Sequence, residues 1–382
     1  MHVTLHLTTG CNMDCRYCYV VRQQNKTMTP ETARSAIDLA SGLTPKEGST
    51  GVIFFGGEPL LCKRLISETV SYAEGVEDST GKHFHFKVTT NGLLLDDEFL
   101  SYAKLHSIFI ALSLDGTAAA HNLHRVDPTG AGTHGVVEDA ARRLLALFPY
   151  APVLMTVNPD TAPMYCDSVK YLYGLGFRYI ICSLNYAAPW EERDMDELKR
   201  QYRKMANYYF DLTMKEEKFY LSPFEVKISS HVNRRTYCHE RCELGKKQIS
   251  VGPDGLLYPC VQFVGDESFA IGSVESGIDE ARRESLFRQN EQEKETCAEC
   301  AIRARCNHYC GCLNRQATGS IDRVSPVLCA HERLLLPVAD RLAERLYRKR
   351  NAMFIQKHYN EFYPIVSLVE DRARNSNPKP NV

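Results

Sequence analysis

Cys11, Cys15 and Cys18 stand in a C-x3-C-x2-C spacing that places three thiols in one short stretch just after the first β-like run. Three converging thiols read as metal ligands. A tetrahedral zinc site asks for a fourth ligand close by, whereas a four-iron cube held by three thiolates keeps one iron open for an exogenous ligand. An open iron is a place where a reaction can start. A second field holds Cys238, Cys242, Cys260, Cys297, Cys300, Cys306, Cys310, Cys312 and Cys329, and only Cys62, Cys166 and Cys182 are scattered among the fifteen cysteines. The start of the chain lacks the cationic flank and long apolar run of a signal peptide, so a cytoplasmic protein with reduced thiols is expected and metal ligation explains the clustered cysteines better than disulfides.

The elements that must carry these residues alternate. Strand-like runs at 2–7, 52–55, 83–90, 108–114, 153–157 and 179–184 are interleaved with helix-like runs at 30–41, 64–74, 96–105, 136–148, 162–175 and 191–218, with Thr29 as the N-cap of the first. Six β/α units predict an α/β fold with a parallel sheet, and two units short of eight they predict a partial (β/α)6 TIM-type barrel spanning residues 1–225. Chemistry in such sheets sits at the carboxyl ends of strands. There the sequence places Cys11, then Gly56-Gly57-Glu58-Pro59, Thr90-Asn91-Gly92, and Ser113-Leu114-Asp115-Gly116. Residues 226–335 read as a small Cys-rich domain and 336–382 as a C-terminal helix, with Leu335, Val338, Leu342 and Leu346 at helical spacing, followed by a disordered tail at 374–382. The net charge of −1 and the lack of a long apolar run argue against a nucleic-acid or membrane partner.

The cysteine spacing, followed by Gly56-Gly57-Glu58-Pro59, resembles the radical S-adenosylmethionine (SAM) superfamily. The resemblance implies that the open iron chelates the methionyl amine and carboxylate of SAM and that the strongly reducing cube cleaves the sulfonium to a 5′-deoxyadenosyl radical. It implies that Gly56, Gly57, Glu58 and Pro59 contact the methionyl amine, that Asn91, Ser113, Asp115 and Arg125 serve the ribose and carboxylate, and that Tyr17 lies near adenine. In the second field, Gly255 is followed by four residues and then Cys260, and Cys297-x2-Cys300-x5-Cys306-x3-Cys310 precedes Cys329. With Cys242 this resembles the seven-cysteine pattern of the SPASM extension. The resemblance implies two auxiliary cubes with interleaved ligands, the first on Cys238, Cys242, Cys260 and Cys310 and the second on Cys297, Cys300, Cys306 and Cys329, for three [4Fe-4S] clusters in all. Cys312, two positions from Cys310, is expected to be spare, and Cys62, Cys166 and Cys182 to be core residues.

SPASM relatives modify peptides and proteins oxidatively. Sulfatase-maturing relatives carry a catalytic Asp directly after the cysteine of the G-x4-C element, and here that place is Val261. The expected function is therefore a peptide maturase that installs a thioether or carbon–carbon crosslink, or a related oxidation, in a ribosomally made precursor peptide. The alternatives are a sulfatase-maturing, formylglycine-forming enzyme and, in a different class, a zinc-binding interaction protein. Expected partners are the precursor peptide and an electron donor of the flavodoxin or ferredoxin type; because the cluster motif at residue 11 leaves no room before it for a leader-capturing domain, the alternatives for leader capture are a separate leader-binding protein, an edge strand of the barrel, or no leader at all. His239, Glu243, Asp254 and His308 lie near the auxiliary ligands in sequence, but none of them stands out as the acid or base of the reaction.

Overall fold

The computed structural model describes residues 1–20, 25–233, 243–367 and 369. Its first half repeats one unit. Strands β1 (His2–Thr8), β2 (Ser49–Gly56), β3 (His83–Thr90), β4 (Phe109–Ser113), β5 (Pro152–Val157) and β6 (Tyr179–Leu184) alternate with helices α1 (Pro30–Leu43), α2 (Lys63–Thr80), α3 (Asp97–Leu105), α4 (Ala118–His124), α5 (His134–Leu147), α6 (Tyr165–Leu175) and α7 (Glu192–Met214). Neighbouring strands of this set are parallel. Their alternate residues Val3, Leu5 and Leu7, Val52 and Phe54, and Phe86 and Val88 are buried with Ile37, Ala40, Ile66 and Val70 of α1 and α2. Each large side chain so buried stabilises the fold by about 1.5–3 kcal/mol before entropy is counted.

Local signals set the helix limits. Thr29 accepts from Thr32 N at 3.1 Å and Asp96 from Phe99 N at 2.9 Å, each satisfying a free N–H of a first turn. Gly81, at φ 67°, closes α2 in the left-handed conformation.

The sheet runs further than the alternation suggests. Two residues at β7 (Tyr220–Leu221) pair with β6, and on the other edge β8 (Gln248–Val251) pairs parallel to β1, followed by the antiparallel β9 (Leu257–Tyr258). The order is β7-β6-β5-β4-β3-β2-β1-β8-β9, a mixed nine-stranded sheet among the described residues. The segment expected to be a separate small domain thus begins by extending the sheet, its strands being too short to show a period in sequence.

The remaining helices are α8 (Ser222–Val232), α9 (Glu280–Glu291), α10 (Gly311–Thr318), α11 (Pro326–Arg348) and α12 (Ala352–Tyr359). Helix α11 packs on α7 and α8, as expected of an amphipathic helix returning to the body. It starts at Pro326 rather than near 336, and the reason is polar burial. His331 accepts or shares hydrogen bonds with Tyr186 and Tyr202 at 2.8 Å each, while Lys227 binds both oxygens of Glu332 at 2.8 and 2.7 Å. These buried polar residues interrupt the apolar period without leaving the helix. The tail at 374–382 lies outside the described residues.

Candidate active site

Strand β1 ends at Thr8 and the chain turns through Gly10 into the first cysteine loop. The exit of β2 is stitched to this turn, Gly57 N donating to Thr8 O at 2.7 Å and Glu58 N to Gly10 O at 2.9 Å. A Cβ on Gly57 would sit 2.0 Å from Gly10 O, and Gly56 holds φ 126° with its own Cβ position 2.4 Å from Thr8 O. The close approach that these glycines permit is to the backbone that launches the cysteine loop.

Glu58 is fully buried. Its Oε1 accepts from Leu60 N at 2.9 Å and Thr90 Oγ1 at 2.7 Å, and its Oε2 from Asn91 N at 2.7 Å. Burial nevertheless outweighs these donors and pushes its pKa up to about 7. Pro59 follows as the first residue of a short 3-10 turn. Asn91 Nδ2 lies 2.8 Å from Asn12 Oδ1 and 3.6 Å from Cys11 Sγ.

On the other side of the loop, Tyr17 donates its hydroxyl to Asp115 Oδ2 at 2.5 Å, Arg125 Nε donates to the same oxygen at 3.0 Å, and Thr156 N donates to Oδ1 at 2.9 Å. The guanidinium stands 5.4 Å from the Tyr17 ring centre and 4.0 Å from Cys15 Sγ. Burial raises the Cys15 thiol to about 11, with Arg125 opposing the shift. Ser113, half-buried, is the last residue of β4. The structure thus brings Cys11 and Cys15 together with Asn91, Asp115, Arg125 and Tyr17. Its donors aim at sulfur, as an anionic thiolate-held cluster requires.

The second cysteine field divides into two groups. Cys297 feels the charge of Cys300 and Cys329, and Cys306 that of Cys297. Arg333 reaches Cys329 Sγ from Nε at 3.4 Å and Cys300 Sγ from a terminal nitrogen at 3.5 Å. These are the four residues expected at one auxiliary cube. Of the other expected set, Cys260 and Cys310 lie together, while Cys238 and Cys242 lie outside the described residues, as does His239. Cys312 is part of this second group rather than apart from it, with its Sγ 3.4 Å from that of Cys310 and bonded also to Cys260. Cys166 is a core residue, and Cys62 and Cys182 are half-buried away from both groups.

Between the first loop and the Cys260 group runs a cleft. It is lined by His6, Thr9, Tyr19 and Lys26 from the first segment of the chain and by Asp254, Tyr258, Val261, Val264 and Glu267 from the second cysteine field. Tyr19 feels the charge of Cys18, Cys260 and Cys312 together, which sets it between the two cysteine fields. Lys26 and Asp254 pair across the cleft at 3.6 Å. His6, Tyr19, Lys26 and Tyr258 carry no motif in sequence. The one available signal was the polar set Thr4, His6 and Thr8 on a strand expected to be covered on both faces. Glu243 and His308 do not line this cleft; Asp254 does.

A family model described as the Radical SAM superfamily matches residues 5–172. An uncharacterised protein of Methanocaldococcus jannaschii is 32% identical over 179 residues, 47% of this chain, and the chain spans 60% of that relative's length. The cysteine-type anaerobic sulfatase-maturating enzyme of Clostridium perfringens is 26% identical over 290 residues, covering 70% of this chain and 75% of the relative. Among solved structures, native anSMEcpe with bound AdoMet and Cp18Cys peptide superposes with a TM-score of 0.75 at 18% identity, covering 92% of this chain and 100% of that one. Streptococcus suis SuiB bound to precursor peptide SuiA superposes with a TM-score of 0.61 at 14% identity, covering 86% and 75%. The family match begins within β1 and shows the first half of the chain to be similar to the radical SAM superfamily, and the overall fold is shared with both solved structures over most of the chain.

Proposed function

We propose that this protein cleaves SAM reductively and uses the resulting radical to oxidise a side chain in a peptide segment of a protein, as a sulfatase-maturing type of enzyme. The observation that carries the reading is the cleft set between the first cysteine loop and the Cys260 group, open to a peptide side chain and flanked by both cysteine fields. The anaerobic sulfatase-maturating relatives, and the fold shared with peptide-bound anSMEcpe over nearly the whole chain, support this class ahead of peptide crosslinking. The zinc-protein alternative loses its footing with the family match.

In this reading a partial (β/α)6 barrel, residues 1–225, holds SAM at the carboxyl ends of its strands, and residues 226–335 form the auxiliary domain. Cys11, Cys15 and Cys18 would hold the SAM-binding cube. Cys297, Cys300, Cys306 and Cys329 would hold one auxiliary cube, and Cys260 and Cys310, with Cys238 and Cys242, the other. When bound, these clusters supply the electron that splits the sulfonium and an acceptor for the electron returned by the substrate. The chain's own residues bind and orient. Asp115, fixed by Tyr17, Arg125 and Thr156, presents a rigid carboxylate beside the cysteine loop, and Asn91 and Ser113 offer polar groups at adjacent strand ends for the ribose and carboxylate of SAM. Glu58, with Gly56, Gly57 and Pro59, would form the amine side of that site. An electron donor of the flavodoxin or ferredoxin type would feed the first cluster.

Val261 favours a second reading. It stands where sulfatase-maturing relatives carry an Asp, and a peptide maturase that crosslinks a precursor would not need that residue. The two are separated by anaerobic incubation of reconstituted enzyme, SAM and reductant with cysteine- and serine-containing sulfatase peptides. Aldehyde formation, trapped with a hydrazide and read by mass, supports the first reading. SAM cleavage without aldehyde moves the assignment to the second, and no 5′-deoxyadenosine at all removes both.

A further inference from the structure

His6 lies on β1 and lines the same cleft as Val261. Its side chain is 2% exposed and sits edge-on to Phe55 at 5.3 Å. Among the described residues its Nε2 has no hydrogen-bond partner. A buried ring nitrogen left without a partner costs about 1–3 kcal/mol, a cost that a ligand entering the cleft would relieve.

The other polar groups of the cleft are poorly suited to take a proton. Asp254 is paired with Lys26, Glu267 is at the exposed rim, and burial raises the phenol of Tyr258 to about 12, which keeps it a donor. Val261 offers nothing. His6 is different, because burial lowers its pKa to about 3 and so keeps the imidazole neutral, with a free lone pair on Nε2 when the proton sits on Nδ1.

We infer that His6 is the proton acceptor of the reaction, taking over in this chain the task for which the position of Val261 has no side-chain base. The inference rests on the sulfatase-type reading above. The substrate carbon bearing a thiol or hydroxyl loses a hydrogen atom to the 5′-deoxyadenosyl radical, giving 5′-deoxyadenosine. One electron then passes to an iron–sulfur acceptor, the S–H or O–H proton moves to Nε2 of His6, and a carbon–sulfur or carbon–oxygen double bond forms; with a thiol substrate, water then hydrolyses the thioaldehyde to the aldehyde and hydrogen sulfide leaves. A proton that leaves together with an electron is strongly acidic, so a weakly basic neutral imidazole suffices to receive it.

Two measurements on the anaerobic holoenzyme test this. The first needs no substrate: diethyl pyrocarbonate at pH 7, followed by peptide mapping, should modify His6 through the cleft, and an unmodified His6 after the exposed His83 has fully reacted overturns the proposal. The second uses the Cp18Cys peptide. His6→Gln should lower aldehyde formation about 100-fold while iron content and peptide-free 5′-deoxyadenosine formation stay at wild-type levels, and His6→Gln/Val261→Asp should recover about tenfold or more. A His6→Gln enzyme within about threefold of wild type sinks the proposal. If wild-type enzyme cleaves SAM but leaves the peptide intact, the sulfatase-type reading fails and takes the proposal with it, whereas a working wild-type reaction with an unimpaired His6→Gln enzyme fails the proposal alone. The same labelling decides if His6→Gln loses iron.

Discussion

Tyr17 and Asp115, 98 positions apart in the chain, meet in a 2.5 Å hydrogen bond that ties the first cysteine loop to the end of β4. Arg125 shares the same carboxylate oxygen, so the loop is held by a buried charge pair and a phenol together. The two contributions separate by mutation. Asp115→Asn leaves the Arg125 guanidinium buried without its counter-charge and should cost about 3–5 kcal/mol. Tyr17→Phe removes one donor while the ion pair persists and should cost about 1–2 kcal/mol. Urea unfolding of the cluster-free chain measures both, and equal losses would mean that the ion pair does not anchor the loop.

Glu58 gives a prediction in pH. Its folded pKa of about 7 stands above the ordinary carboxyl value of 4.5, so between those two values the native chain holds a proton that the unfolded chain has released. The unfolded state then binds fewer protons, and stability falls as pH rises through the window, by about 3 kcal/mol in all. Glu58→Gln cannot titrate. The stability difference between wild type and Glu58→Gln should therefore shrink from pH 4.5 to pH 7 and level off above it; parallel curves would contradict the raised pKa.

Arg333 bridges Cys300 and Cys329, which assigns it a role distinct from that of the thiols. Cys300→Ala should remove about four irons per chain, because a cube loses one of four terminal ligands. Arg333→Ala should keep the iron and lower the reduction potential of that cluster, since donors to sulfur stabilise the reduced form. A bond of about 1 kcal/mol corresponds to roughly 40 mV for one electron. Protein-film voltammetry together with iron analysis distinguishes the two outcomes, and an unchanged potential in Arg333→Ala would place the guanidinium off the cluster.

The legible and illegible parts of this molecule divide along physical lines. Strand periods such as His83–Thr90 and caps such as Thr29 are local, and the sequence displays them directly. The meeting of Asn91 and Asp115 at the cysteine loop follows from parallel strands sharing one carboxyl end, so it too could be read before the fold was seen, whereas Arg125, at the close of α4, was expected there only from the family resemblance. The extension of the sheet by Gln248–Val251 depends on an edge of β1 being free, which no local pattern reports. The early start of α11 depends on tyrosines and Lys227 meeting His331 and Glu332 from other helices. Cys312 shows the same dependence on the fold, which brings its thiol to those of Cys310 and Cys260.

Gly57 tests whether the stitched turn is what holds the first loop in place. An added methyl at this position would lie 2.0 Å from Gly10 O and 2.9 Å from Thr9 O, both backbone atoms that no rotamer change can move aside. Either β2 must withdraw from the cysteine loop, breaking the bonds from Gly57 N and Glu58 N, or Thr9 and Gly10 must shift and carry Cys11 with them. Gly57→Ala should therefore cost about 3 kcal/mol or more and lose the SAM-responsive signal of the first cluster in electron paramagnetic resonance, with auxiliary iron retained. Gly75 supplies the control, because it lies inside α2 with open space around its Cβ position. Gly75→Ala should stabilise by about 0.5–1 kcal/mol through helix propensity and leave the spectrum unchanged. A Gly57→Ala protein with wild-type stability and an intact SAM-responsive signal would show that the turn yields without disturbing the cysteines.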